Sequence, residues 1–151
     1  MIKWKKLNIK RIFRYIYLKL VRTNDTPPKV ALGVAIGVFL GVFPTFGVGL
    51  ILAYFFAWLL KVNKAAAVLG GLIMNPMTTP FFWGISALIG VTITGGSKEV
   101  ILSEISSGSI FKAAGHSFLV YIIGNLIVSI IFSIISYYIT LEILKRRRYN
   151  K

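Results

Sequence analysis

The sequence predicts an all-α integral membrane protein, from its long apolar runs, its low charge content and the placement of its cations. Hydrophobic residues make up 56% of the 151-residue chain, and charged residues only 15%. Residues 30–60, 65–97 and 113–141 contain no Asp, Glu, Lys or Arg, and each run exceeds the roughly 20 residues that cross a bilayer. We therefore expect a single membrane domain over residues 1–151.

The formal net charge of +14 is concentrated at the two ends of the chain. Basic clusters beside apolar spans favour retention on the cytoplasmic side and attract anionic lipid head groups. A nucleic-acid-binding protein would need a folded basic surface, and none is visible. Membrane lipids, and not nucleic acid, are the expected anionic partner.

Residues 1–26 predict a basic amphipathic helix that lies along the membrane surface. Apolar side chains recur at helical spacing on one face, which is typical of an interfacial helix. The alternative is a soluble helix that packs on a partner domain. The cations expected at the membrane surface are Lys10, Arg11, Arg14 and Arg22.

Residues 27–60 predict a hydrophobic helical segment that proline breaks in two. A Thr-Pro pair at its start is typical of a helix N-terminus, and Pro44, near the centre of the apolar run, lacks a backbone donor. One unbroken helix would be too long for a single upright span and too short for two. We expect half-helices at 28–43 and 47–60, joined at FPTFG as either a re-entrant hairpin or a strongly kinked span.

Three glycines of this segment, Gly33, Gly37 and Gly41, recur every four residues and so share one face of a helix. Small residues on one face allow helices to approach closely in a membrane. We expect them to be helix-packing residues. The alternative is that they line a passage for a substrate.

Residues 65–95 predict a second hydrophobic segment of the same plan, with two apolar halves on either side of a proline-rich break at 75–80. The two segments therefore form a loose repeat in architecture. Hydrophobic segments interrupted at corresponding positions indicate a binding site in transporter-like proteins. Structural kinks alone would give the same pattern.

The rest of the chain predicts a polar loop at 96–112, a transmembrane helix at 113–141 and a basic tail at 142–151. The positive-inside rule places both termini and the KVNK turn in the cytoplasm. The first broken segment is then re-entrant, whereas the second crosses the bilayer. This difference conflicts with the repeat, which would make both segments hairpins of the same kind. The last helix carries a polar stripe on one face, formed by Asn125, Ser129, Ser133, Ser136 and Thr140. We expect these side chains to form hydrogen bonds with neighbouring helices and not to line a water-filled path.

Catalytic chemistry has no visible basis in the sequence, so we expect no enzyme. The chain has no Cys, and no acidic residue lies inside an apolar run, which leaves no carboxylate metal ligand or proton relay at depth. His116 stands alone, without a second ligand or a nucleophile partner. We expect no catalytic residue, no cofactor and no metal.

Neutral polar residues near the two breaks are the candidate substrate-binding residues. Backbone groups freed by proline must find partners or face water inside the protein, and half-helix N-termini favour anions. With Lys61 and Lys64 nearby, an anionic lipid head group or a phosphate is the expected ligand. The candidates are Thr45, Asn63, Asn75, Pro76, Thr78 and Thr79.

Three stretches follow one another in a specific order: PPKVALGVAIGVFLGVFPTFG, LLKVN and NPMTTP. In this order they resemble the bacterial membrane family called domain of unknown function 2062, over roughly residues 14–95. That family tends to carry a polar residue after the glycine of the P-x-x-G element, where this chain has Val48-Gly49-Leu50. The matching residues are Pro28, Ala31, Gly33, Ala35, Gly37, Phe39, Gly41, Pro44, Gly47, Asn63, Asn75, Pro76 and Thr78.

The resemblance implies a bacterial inner-membrane protein, some of whose relatives are fused to, or encoded near, glycosyltransferase-like enzymes of envelope synthesis. It implies no activity. Two hypotheses remain open. The first is a transporter or flippase of a small or lipid-linked anionic substrate, favoured by the paired broken segments. The second is a non-catalytic scaffold for an envelope glycosyltransferase, favoured by the glycine face, the polar stripe and the basic helix. A chain of this size is also expected to form a homo-oligomer.

Overall fold

A computed structural model of the chain describes residues 24–45, 47–74, 76–95 and 110–149. The all-α prediction is confirmed for these residues, which form five helices and no strand. The predicted surface helix, with its four cations, and most of the predicted polar loop lie outside the described residues. The helices are α1 (Pro27–Val42), α2 (Gly49–Leu59), α3 (Lys64–Gly71), α4 (Thr79–Thr94) and α5 (Ile110–Tyr149).

The first break, residues 43–48, contains Pro44, ends α1 and reverses the chain. Pro44 has no N–H to donate to the carbonyl four residues earlier, so the helix cannot continue through it. Phe43 is already extended, with φ −62° and ψ 140°. Gly47 then adopts a φ of +93°, a left-handed conformation that suits glycine. The two half-helices therefore form a hairpin and not one kinked helix.

The hairpin returns the chain to the start of α1. The N–H of Asn63, just beyond α2, donates to the carbonyl oxygen of Lys29 in the first turn of α1 at 3.3 Å. Asn63 is also the N-cap of α3, where its Oδ1 accepts from the N–H of Ala66 at 2.6 Å, and its Nδ2 donates to Asp25 at 2.6 Å. These bonds tie α3 to the open end of the hairpin.

The glycine face of α1 packs against α3, and the two helices run parallel. A Cβ added at Gly33 would meet the carbonyl oxygen of Asn63, one at Gly37 that of Ala67, and one at Gly41 that of Gly71. Each contact is with backbone, which cannot rotate away as a side chain can. The crossing is therefore close enough that only glycine fits on the α1 side at these positions.

The second proline-rich break, residues 72–78, separates α3 from α4 without reversing the chain. None of its described residues has a positive φ, in contrast to Gly47 in the first break. Pro80 lies in the first turn of α4, where its missing N–H costs no hydrogen bond. The two segments share a broken plan, but the first folds back and the second continues onward.

The long helix α5 runs antiparallel to both α1 and α4. On α1, the Ser133 hydroxyl donates to the Ala35 carbonyl oxygen at 2.9 Å. On α4, Phe82 packs edge-to-face on Phe132, with ring centroids 5.0 Å apart, and a Cβ at Gly90 would meet the carbonyl of Val120. One helix thus holds the two others side by side.

This helix extends beyond the predicted 113–141 at both ends. Lys, Arg, Glu and Leu in the former tail are good helix formers. Arg146 Nε also forms an ion pair with Glu142, one turn earlier, at 2.8 Å. The tail therefore continues the helix through Tyr149.

By length and composition, α5 is the one described helix that could cross a membrane, over Ser117–Arg147. Only 28% of its most apolar stretch is buried, whereas the core helix of a soluble protein is mostly buried. Large apolar side chains also face outward on α2 and α4; Ile51 is 70% exposed and Leu88 67%. Large apolar side chains therefore face outward on three of the described helices.

Candidate functional site

The two breaks face α5 across an open cleft of about 560 Å³. Its lining is mostly apolar and carries no charged side chain. Its lining residues with polar side-chain groups are Thr45, Thr79, Trp83 and Tyr121. Its main lining residues are Phe43, Pro44 and Thr45 from the first break, Thr79, Trp83 and Ala87 from α4, and Phe118 and Tyr121 from α5.

At the first break, Thr45 replaces the donor that proline lacks. The carbonyl of Leu40 would accept from the N–H at position 44 in a continuous helix, and Pro44 has none. The Thr45 hydroxyl donates to that oxygen instead, at 3.3 Å. A Cβ at Gly49 would press on the Thr45 Oγ1 at 2.5 Å, so the glycine leaves the hydroxyl its space.

At the second break, Thr78 makes the corresponding bond. Its hydroxyl donates to the carbonyl oxygen of Ile73 at 2.6 Å. In both breaks a threonine therefore reaches back five residues to a backbone carbonyl, that of Leu40 in the last turn of α1 and that of Ile73 just beyond α3. The hydroxyl groups of Thr45 and Thr78 thus both donate hydrogen bonds to backbone carbonyl oxygens.

Behind the cleft, the fully buried Asn125 joins three helices. Its Nδ2 lies 3.1 Å from the Val42 carbonyl oxygen, the last of α1, 3.1 Å from the Ser86 Oγ of α4, and 3.3 Å from the Tyr121 hydroxyl. Because the Val42 carbonyl can only accept, the amide nitrogen must face it. The buried Asn125 Oδ1 has no partner in the described part of the chain.

Asn125 and the three serines of the predicted polar stripe of α5 form hydrogen bonds within the chain. Ser129 donates to the carbonyls of Asn125 and Leu126 on its own helix, and Ser136 donates to the carbonyl of Ser133. Ser133 itself bonds across to α1. These hydroxyls join helices or cap their own turn, and they do not line the cleft.

The structure brings together only part of the predicted binding set. Thr45 and Thr79 lie in the cleft. Asn63 does not, because it caps α3 at the opposite end of the hairpin. Pro76 is exposed, and Asn75 lies outside the described residues.

Sequence reasoning missed the aromatic part of the cleft. Trp83 and Tyr121 are unremarkable in sequences as rich in aromatics as this one, so nothing marked them as partners of the breaks. Asn125 was singled out as one member of a stripe, and a lone amide inside an apolar run was the signal that could have set it apart.

The cations predicted to help bind an anion are also away from the cleft. Lys61 and Lys64 lie at the turn between α2 and α3 and, with Trp58 and Leu59, line a separate cavity of about 480 Å³. The described residues contain no cluster of three His, Cys, Asp or Glu side chains that could hold a metal ion.

Comparison with known proteins places the chain by family. No curated protein and no solved structure matches it. A bacterial family profile, described as an uncharacterized protein conserved in bacteria (DUF2062), matches residues 10–151, which covers both breaks, the cleft and all of α5. The chain therefore belongs to the bacterial family DUF2062.

Proposed function

We propose that this chain is an integral protein of the bacterial cytoplasmic membrane, with α1 and α2 as a re-entrant hairpin, α3 and α4 as a broken crossing, and α5 as a full crossing. The exposed apolar faces of α2, α4 and α5 support this arrangement, since a bilayer would cover them. The length of α2 suits a hairpin that enters the membrane only part of the way. The 11 residues of α2 rise about 16 Å, about half of a hydrocarbon core roughly 30 Å thick.

In this arrangement the cleft opens near the bilayer midplane, and we propose that the protein moves a lipid-linked anionic substrate across the membrane. The observation that carries the proposal is the cleft itself, an apolar space of about 560 Å³ between two broken helices. Its mostly apolar, uncharged lining suits the hydrocarbon part of a lipid during transfer. No enzyme activity, cofactor or metal is part of the proposal.

The experiment measures transfer of fluorescent phosphatidylglycerol between the leaflets of proteoliposomes. The vesicles contain phosphatidylethanolamine and phosphatidylglycerol, and external dithionite bleaches only the outer leaflet. We expect bleaching to exceed the half seen in protein-free vesicles. Ala87→Trp, which fills the cleft, should abolish the excess.

Ala65→Trp is the matched control, because Ala65 is exposed on α3 and lies outside the cleft. It should transfer lipid as the unmodified protein does. Half bleaching with the unmodified protein, or full transfer by Ala87→Trp, would contradict the proposal.

The scaffold for an envelope glycosyltransferase stays a prediction that this structure does not favour. Two of the features that suggested it are engaged within the chain, since the glycine face packs on α3 and the serine stripe bonds to α1 and α5. The predicted homo-oligomer likewise stays a prediction.

A further inference from the structure

The turn between α2 and α3, residues 60–63, has an unusual backbone. Lys61 adopts a φ of +54° and is the one described non-glycine residue with a positive φ. Non-glycine residues rarely adopt this backbone conformation without a local reason. Here the reversal lets Asn63 cap α3, and it leaves the Lys61 side chain beside the cavity of about 480 Å³ that Lys64 and Trp58 also line.

The two lysines of this turn are free to meet an outside anion. Neither forms an ion pair with an acidic side chain among the described residues. The Lys64 ammonium group lies 5.8 Å from the ring centroid of Tyr54, a contact that leaves its charge uncompensated. Asp25, the acid that reaches this end of the hairpin, accepts a hydrogen bond from Asn63.

The face of α2 that leads away from the turn is apolar and outward. Ile51, Tyr54, Phe55 and Trp58 follow helical spacing, and each is about half exposed or more. Trp58 lies at the end nearest the lysines. An aromatic side chain beside lysines, at the end of an apolar helix, is typical of the membrane–water interface.

We propose that residues Trp58, Lys61 and Lys64 form the head-group site of an anionic phospholipid. The two ammonium groups bind the phosphate, the Trp58 ring packs against the glycerol region, and the acyl chains lie along the apolar face of α2. The proposal rests on the re-entrant placement of the hairpin, which sets this turn at the cytoplasmic surface. The ligand is a lipid and not a soluble phosphate, because the apolar face continues directly from the cationic cavity.

The experiment is native mass spectrometry of the full chain in detergent, with equimolar phosphatidylglycerol and phosphatidylcholine. We expect the unmodified protein to retain phosphatidylglycerol preferentially. Lys61→Gln or Lys64→Gln should each reduce the preference about 5-fold, and the double variant about 30-fold, as expected for two surface cations. The corresponding double arginine variant should keep it.

Lys145→Gln is the matched control, because this lysine is exposed on α5 and does not line the cavity beside Lys61 and Lys64. It should keep the preference, and the double glutamine variant should keep the melting temperature of the unmodified protein. Equal retention of the two lipids by the unmodified protein, or an unchanged preference in the double glutamine variant, would overturn the proposal. So would displacement of the lipid by glycerol phosphate at equal concentration, since the ligand would then be a soluble phosphate.

This binding measurement is independent of lipid transfer. A preference that the double glutamine variant loses, together with no transfer in vesicles, would retain the head-group site and reject the transport function. Lipid transfer in vesicles, together with no preference for phosphatidylglycerol in detergent, would retain the transport function and reject the head-group site.

Discussion

Substitution of Gly37 by alanine tests the close crossing of α1 and α3. A Cβ at this position would meet the Ala67 carbonyl oxygen directly and would lie 2.7 Å from the Gly71 nitrogen and 2.8 Å from the Ala67 carbonyl carbon. All three atoms are backbone, so relief requires the helices to separate. Overpacking of this kind costs about 1–3 kcal/mol of stability.

Alanine also has a higher helix propensity than glycine, by about 1 kcal/mol, which would mask part of the loss. Gly84→Ala in α4 removes this complication, since nothing lies within 4 Å of its added Cβ. The difference between the two variants then reports packing alone. For a chain of this length it corresponds to about 2–12 °C in melting temperature.

The assay is thermal unfolding of the two purified variants in the same detergent, followed by tryptophan fluorescence. We expect Gly37→Ala to melt below Gly84→Ala by that margin. Equal melting temperatures would mean that α1 and α3 are not packed backbone to backbone, and the description of the hairpin would be wrong.

Three further predictions concern side chains that satisfy the breaks and caps, all measured by the same melting assay. Thr45→Val leaves the Leu40 carbonyl without a donor and should cost about 1–3 kcal/mol, whereas Thr45→Ser should cost little; equal loss in both would show that the hydroxyl is not the cause. Asn63→Ala removes the N-cap of α3 and the bond to Asp25, and should cost about 1–2 kcal/mol, most of which Asn63→Ser should restore. Asn125→Leu keeps the number and branching of the side-chain heavy atoms but leaves the Val42 carbonyl without its donor, and should destabilise by about 1–3 kcal/mol; a variant as stable as the unmodified chain would show that this bond does not hold α1 to α5.

Local rules in the sequence predicted much of this architecture. The start of α1 at Pro27 and its end before Pro44 follow from the missing proline N–H, which acts within one turn of helix. The spacing of Gly33, Gly37 and Gly41 set them on one face for the same local reason.

Relations between distant residues could not be read in the same way. The reversal after α1 depends on the left-handed φ of Gly47, and a glycine alone does not say which conformation it adopts. The bond from Asn125 to Val42 joins residues 83 positions apart, and only the packing of α1 on α5 brings them together. The cleft, built from both breaks and α5, was therefore only partly foreseen, through Thr45 and Thr79.

The central claim is that α1 and α2 enter and leave the membrane on one side. Single cysteines introduced for Thr26, Leu60 and Thr94 test it on intact bacterial cells, with a membrane-impermeant maleimide as the label and a chain that has no native Cys as background. All three positions are exposed. We expect Thr26→Cys and Leu60→Cys to be labelled only after the cells are permeabilised, and Thr94→Cys to be labelled on intact cells. Labelling of Leu60→Cys from outside, with Thr26→Cys protected, would mean that residues 27–60 cross the bilayer, and the re-entrant hairpin would be wrong.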